Sequence, residues 1–273
     1  MNSSGVRAIT SFTFRESIRA KWLWIFSAVY FLVAINIPIL FLLAVHLLPP
    51  SYLDQFLGNL VALTFPFIPL LSLPLGSTSI VDEKESGTLQ YVLSNPISKS
   101  EFFFARSLGL LISTSAVILL GFGFAAIVAF SSHIAGYPTI GALMLLAAGL
   151  NVTMLAMALV ISAFVKRKTA AIGIAIFVWF IFTVISDIGL LTLVESLNSV
   201  LSVIPVLLNP VEILTILAGI QLGGTPSLLG QVGGTTVYYM GHNTVTILLS
   251  SALVWIIVPV IAGFYIFSHQ DLA

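Results

Sequence analysis

Few side chains in this sequence can do chemistry, and they are unevenly placed. The 273-residue chain holds ten Lys or Arg, ten Asp or Glu, four His and no Cys. Without cysteine there is no thiol nucleophile, thiolate ligand or disulfide. No Gly-Lys dipeptide occurs, so the chain lacks a phosphate-cradling P-loop and cannot itself be a P-loop ATPase. The densest grouping runs from Asp82 to Glu101. Acidic Asp82, Glu83 and Glu85 surround Lys84, and Gly87 permits a sharp turn. Thr88 to Leu93 predicts a short helix with Leu89, Val92 and Leu93 on one face. Asn95-Pro96 breaks it. Ser98 with Glu101 forms a capping box that restarts the chain, with Lys99 beside it and Arg106 further on. The chemistry on offer is mechanical: a short rigid helix between two long ones can pass force from a cytoplasmic partner. Any short re-entry loop would have the same form.

Other polar groups are scattered. Asp187 is the one ionisable residue well inside an apolar stretch, about 17 residues in and roughly 25 Å from its basic end. Such residues are functional candidates, although a wet carboxylate at a helix mouth also fits. Pro66, Pro69 and Pro74 fall within about 140° of arc on one helix. They remove backbone donors and bend it, so they could line a path or only shape the packing. Asn36, Asn151 and Thr153 read as groups satisfied by neighbouring helices. Met240 lies two residues from His242 on the side that also holds His46 and His133. Thioether and imidazole suit copper(I), but one Met-x-His is ordinary loop chemistry, and no resident metal or cofactor is expected.

The elements that carry these groups follow from composition. Hydrophobic residues make up 59% and charged residues 7%, against roughly 25% charged in soluble domains. Hydrocarbon must be the solvent. A net charge of zero excludes a basic nucleic-acid binder. Residues 1–21 are polar and mixed, so a cytoplasmic amphipathic segment is expected there rather than a signal peptide. Six apolar runs reach the roughly 20 residues a spanning helix needs: residues 22–48, 56–81, 102–130, 140–165, 170–194 and 245–267. They are continuous rather than alternating, which predicts an α-helical bundle over a barrel. Gly121, Ala125 and Ala129 supply small residues for close helix packing.

Orientation follows from the basic residues. Arg7, Arg15, Arg19 and Lys21 precede the first span; Lys84, Lys99 and Arg106 flank the loop after the second; Lys166, Arg167 and Lys168 fill the loop after the fourth. All ten fall on one side, which the positive-inside bias makes cytoplasmic, with both termini. Residues 195–244 then form an extracytoplasmic segment. Within it Asn209, Pro210 and Glu212 read as an N-cap, a first-position proline and the acid of a capping box. A short amphipathic helix on the outer surface is expected rather than a seventh span.

The acids followed by Gly-Thr-Leu, then Leu-Ser-x-Pro-Ile-Ser-Lys and a later basic residue, resemble the signature of type-2 ABC export permeases. The positions are Glu83, Glu85, Gly87, Thr88, Leu89, Leu93, Ser94, Pro96, Ser98, Lys99 and Arg106. The last is often Lys in that family. The N-terminal stretch, six spans and outer segment extend the likeness over the whole chain. Trp179, Asp187 and Leu208-Asn209-Pro210 are most similar to the NosY-type membrane subunits associated with nitrous-oxide reductase maturation. The stretch Ile213-Leu214-Thr215-Ile216 after Glu212 departs from that pattern.

The resemblance implies an all-α, six-span exporter permease with an N-terminal amphipathic helix and a cytoplasmic coupling helix. It implies a homodimer in the cytoplasmic membrane, each copy resting Thr88 to Leu93 on a separate ATPase that binds ATP and Mg. Spans two and five would face each other across that dimer. Residues 166–169 would add a smaller contact, and an extracytoplasmic accessory protein could dock on 195–243. Cargo stays open among drugs, lipids, peptides, copper and sulfur species. Passing mechanical work to an outer partner is a rival within the class. An ATP-independent carrier or channel is the rival from another class, and it requires a polar seam that the spans do not show.

Overall fold

A computed structural model describes residues 3–44, 52–95, 97–131, 137–197 and 200–270. His46, Pro96 and His133 lie outside them. Among the described residues every regular element is helical. Helix α1 (Ser3–Arg19) turns at Ala20 into α2 (Lys21–Ala44). The second apolar run is two helices, α3 (Tyr52–Thr64) and α4 (Phe67–Glu85), interrupted at Phe65–Pro66. After Gly87 comes α5 (Thr88–Leu93), then α6 (Lys99–Ser131) and α7 (Tyr137–Phe164). The fifth run is α8 (Lys168–Phe180), a π-helical stretch Ile181–Ile185 and α9 (Ser186–Leu197). A 3-10 turn Val200–Ser202 leads to α10 (Val203–Leu207), α11 (Pro210–Gln221), α12 (Pro226–Met240) and α13 (Thr244–His269).

Helices coincide with five of the six expected spans at spanning length among the described residues. By length and composition, Leu57–Glu85, Lys99–Phe124, Pro138–Phe164, Lys168–Leu193 and Pro226–His269 qualify to cross a membrane among the described residues. In α2 the apolar stretch among the described residues, Leu23–Leu32, is shorter than a span needs.

The central helix is α4. Buried residues fill 72% of the apolar window of Leu57–Glu85 but only 17% of the windows of span five and the last span. Span two therefore sits in the protein while those two face outward. Small residues set the closest approaches. A Cβ on Gly76 would meet Ala158 Cβ at 2.6 Å, and one on Gly121 would run into the Tyr30 ring. Gly121 thus serves the packing its spacing predicts; the side chains of Ala125 and Ala129 are outside the description, as is that of Asn36. One buried amide ties three spans. Asn151 donates to Thr114 Oγ1 and Ser115 Oγ, both at 3.0 Å, and accepts from Ser72 Oγ at 2.6 Å. Thr153 donates to the Gly149 carbonyl of its own helix.

The expected outer surface helix takes a different form. The Asn209 half of its cap is as read: Oδ1 accepts from Val211 N at 2.9 Å and Glu212 N at 3.3 Å, with Pro210 in the first turn. The Asn209 N–H instead donates to the Val206 carbonyl at 3.0 Å rather than to Glu212. But α11 is not laid on a surface with one face out. Its buried residues are Pro210, Val211, Ile213, Leu214, Ile216, Leu217, Ala218 and Gly219. Val200–Leu207 and Pro210–Gln221 are bent from each other by 111°. With arms of about 12 and 18 Å at 1.5 Å per residue, neither reaches across a roughly 30 Å core. Apolar sequence all round α11 is what burial among helices demands, which the capping signal at its start could not convey.

Candidate functional site

The end of span two builds the inner site. α4 stops because Gly87 takes the left-handed conformation, φ 73° and ψ 0°, which costs an L-residue roughly 1–2 kcal/mol. Ser86 N and Gly87 N close the last turn onto the carbonyls of Asp82 and Lys84. The reversal delivers α5 with the face its spacing predicts. Leu89 is buried, and Val92 and Leu93 pack beside it on Phe102, Phe103 and Phe267. The opposite face carries Tyr91, 77% exposed. Downstream, Ser98 N donates to Glu101 Oε2 at 3.0 Å and Glu101 N to Ser98 Oγ at 3.2 Å, the predicted capping box.

Arg106 lies beneath this corner, 2% exposed. Its Nη1 is 2.7 Å from Glu16 of α1 and 2.9 Å from Glu83 of α4, and its Nη2 donates to the Ser79 carbonyl at 2.8 Å. A buried guanidinium needs its charge matched. The two carboxylates and the carbonyl supply that for Nη1 and Nη2, while Arg106 Nε and Glu83 Oε2 stay buried without a hydrogen-bond partner among the described residues. Burial changes the part Arg106 and Glu83 can play. Within one chain both are buried, and they support the corner beneath α5.

Three lysines, Lys84, Lys99 and Lys168, tie loops and helix ends. Lys168 Nζ pairs with Asp82 Oδ2 at 2.5 Å, and Lys168 N donates to Glu85 Oε2 at 2.8 Å. The loop after span four is thereby joined to the end of span two. Lys84 Nζ donates to the Ala163 carbonyl at 2.6 Å, and Lys99 Nζ to the carbonyls of Ser268 and Gln270 at 3.0 and 2.9 Å. Cations here satisfy the orphan carbonyls at the ends of α7 and α13. Of the residues singled out from sequence, Glu85, Gly87 and Thr88 are exposed, Val92, Leu93 and Lys99 half-buried, and Leu89 buried.

The prolines and Asp187 do not converge on one path. Pro74 lines a narrow inner cleft with Thr78, Asp82, Arg106 and Lys168. Pro69 is buried in the first turn of α4, where a missing donor is harmless. Pro66 marks the break, and its carbonyl accepts the Trp179 indole N–H at 2.9 Å. Asp187 is exposed and shares a cleft with Glu212, Gly230 and Gln231. Met240 is half-buried against the core and His242 exposed.

Spans two and five, expected to meet across a dimer, pack together within one chain. Three irregular points near them are bridged by long-range donors. Trp179 bonds the Pro66 carbonyl. Asn209 Nδ2 donates to the Phe182 carbonyl in the π-helical stretch at 2.9 Å and to Ser186 Oγ at 2.8 Å. Trp255 Nε1 donates to the Leu207 carbonyl at 3.0 Å. Backbone groups freed by a helix break need such partners in hydrocarbon. Sequence reading singled out Trp179 and Asn209 without this role. It missed Glu16, Lys168 as a bridging residue, Trp255, and Ser162, whose Oγ accepts from Ile80 N at 2.8 Å and Val81 N at 3.1 Å. Only the unpaired acid of α1 hinted at Glu16.

A family model described as "ABC-2 family transporter protein" matches residues 7–272. "Probable ABC transporter permease protein NosY" of Stutzerimonas stutzeri is 28% identical over 268 residues, covering 93% of this chain and 95% of that protein. The protein of the same description from Pseudomonas aeruginosa is 28% identical over 211 residues, covering 72% and 75% of the two chains.

Proposed function

The chain belongs to the ABC-2 family of transporter proteins, and from that membership we propose that it couples ATP hydrolysis in a separate cytoplasmic subunit to movement across the membrane through α5. It is a multi-pass membrane permease subunit of an ABC transporter, NosY-like by sequence. The carrying observation is the mounting of α5. One face is held by Leu89 and its neighbours, the corner is set by Gly87, and Tyr91 is left outward. A six-residue helix has little stability alone, so an exposed one held this way suits a contact that must transmit force without bending.

Force on α5 has a route. It reaches α4 directly, α1 and α6 through Glu83 and Arg106, and span five through Asp82, Glu85 and Lys168. Both candidate moving spans leave the corner with fixed attachments. The bent pair α10–α11 then reads as a re-entrant element. Its Leu207 meets Trp255, 11 residues along α13 from Thr244, or about 16 Å in from that end. In this reading both arms open toward the outside, six spans cross, and both termini are cytoplasmic.

Two copies would form the working unit, each seated on one ATPase subunit. Export, or mechanical work on an extracytoplasmic protein, would follow ATP-driven closure of that pair. The NosY likeness favours nitrous-oxide reductase maturation with copper or sulfur species as cargo; drug, lipid or peptide efflux is the alternative. The test is co-purification of the ATPase subunit in detergent. Tyr91→Ala is expected to weaken that association at least tenfold with the permease still folded. Undiminished association, or activity in vesicles holding the permease alone, overturns the reading.

A further inference from the structure

α1 has two faces of different chemistry. The inner face is dedicated to protein: Thr10 Oγ1 donates to the Ala105 carbonyl at 3.2 Å, and Gly109 leaves only 2.6 Å between an added Cβ and Thr13 Cβ. Glu16, the one acid of the helix, is drawn to Arg106. The outer face keeps Arg7, Arg15 and Arg19 exposed, within about 120° of arc at 100° per residue. None of the three has an ion-pair partner among the described residues, and Lys21 continues the series. Apolar surface lies among these cations. Phe12 is 59% exposed, about 20° of arc from Arg19. Trp24 is 64% exposed just beyond the turn, its indole N–H donating to the Ile18 carbonyl at 2.6 Å.

We propose that this outer face is a binding surface for anionic phospholipid headgroups of the leaflet in which α1 lies. Cations that have given their only acidic neighbour to Arg106 need an anion from outside the chain. Phe12 and the Trp24 ring require an apolar environment at the same level, and the boundary between headgroups and acyl chains supplies both. A cytoplasmic protein would match the arginines but would leave the aromatic rings at the membrane boundary unused. Lipid held there keeps α1 at fixed depth, and through Glu16 and Arg106 fixes the base of α5. The surface thus adds a lipid requirement to the coupling element and rests on the cytoplasmic placement of α1.

The full-length protein in nanodiscs of equal phosphatidylcholine and phosphatidylglycerol provides the test, with native mass spectrometry counting retained lipid. One surface arginine enriches anionic lipid about fivefold. Wild-type protein is therefore expected to retain phosphatidylglycerol over phosphatidylcholine at least tenfold, and the Arg7→Gln, Arg15→Gln, Arg19→Gln variant at near parity. The wild-type preference should also fall as salt rises to about 1 M, a measurement that stands if the variant fails to insert. No preference, preference unchanged in the variant, or preference indifferent to salt overturns the proposal. So does a variant that sheds the ATPase subunit while keeping its lipid preference, which would assign the face to protein. Ser11→Cys labelling separates the two layers: reaction only from the outside sinks the orientation, whatever the lipid count.

Discussion

The Arg106 guanidinium, in the third span, sits 2.9 Å from the Glu83 carboxylate on the last turn of α4, one turn ahead of the left-handed Gly87 that starts α5. The pair joins α6 to α4, the helix buried in the bundle, at the corner from which α5 starts. Glu16 completes it from α1 at 2.7 Å.

Removing the cation should therefore injure more than one helix. Arg106→Gln leaves the Glu83 charge buried without its partner, at a cost of about 3 kcal/mol. Adding Glu83→Gln removes the stranded charge and should recover half or more of the loss. Unfolding of purified protein followed by tryptophan fluorescence reads both. Purely additive effects of the two substitutions would deny the coupling.

Gly87 separates backbone from bulk. Nothing lies within 4 Å of a Cβ placed there, but φ is +73°. Gly87→Val should cost about 1–2 kcal/mol locally and swing α5, lowering stimulated ATP hydrolysis by the partner with insertion intact. Gly87→Asn, which tolerates this conformation, should keep most of the coupling. Equal behaviour of Val and Asn would show that the conformation does not matter.

Asn209 does two jobs that can be split. Asn209→Asp keeps the oxygen that caps Val211 and Glu212 but loses the donors to the Phe182 carbonyl and Ser186 Oγ. Asn209→Ala loses both. Alanine should destabilise by about 2 kcal/mol and aspartate by about 1 kcal/mol, compared by melting in the same detergent. An aspartate variant as damaging as alanine would mean that the cap contributes little.

Gly76 marks the closest approach of α4 and α7. Gly76→Ala brings a methyl to 2.6 Å from Ala158 Cβ and should cost about 1–3 kcal/mol by overpacking. Ala158→Gly on that background should restore stability. The cycle is measured by thermal unfolding of the four proteins, and absence of rescue would relocate the contact.

The cysteine-free chain also suits labelling. Thr235→Cys and Ser268→Cys should react with an impermeant maleimide from opposite sides of sealed vesicles. Reaction of both from one side would remove the six-span arrangement.

Much of the inner site was legible because its signals are local. The Ser98 and Glu101 reciprocal cap, the Gly87 turn and the Leu89, Val92 and Leu93 face each lie within one or two helical turns. Local backbone chemistry allows few alternatives there. The same holds for Asn209 as a cap. Its second role was not legible, since Phe182 is 27 residues away and no local rule links them.

The sequence alone determined that this chain lives in hydrocarbon as helices, and that the Asp82 to Glu101 module lies on the basic side. Backbone groups cannot go unpaired in lipid, and cations resist crossing it, so composition and charge suffice for such conclusions. Only the tertiary structure decided that α4 is the central helix, that α11 is buried, and that Arg106 pairs with Glu83 and Glu16. A membrane helix is apolar on every side, because lipid and protein core are alike in polarity. Its periodicity therefore does not say which face meets which neighbour. That information lies in paired features far apart in the chain, such as Gly76 with Ala158 and Trp179 with Pro66, and it becomes visible only once the helices are packed.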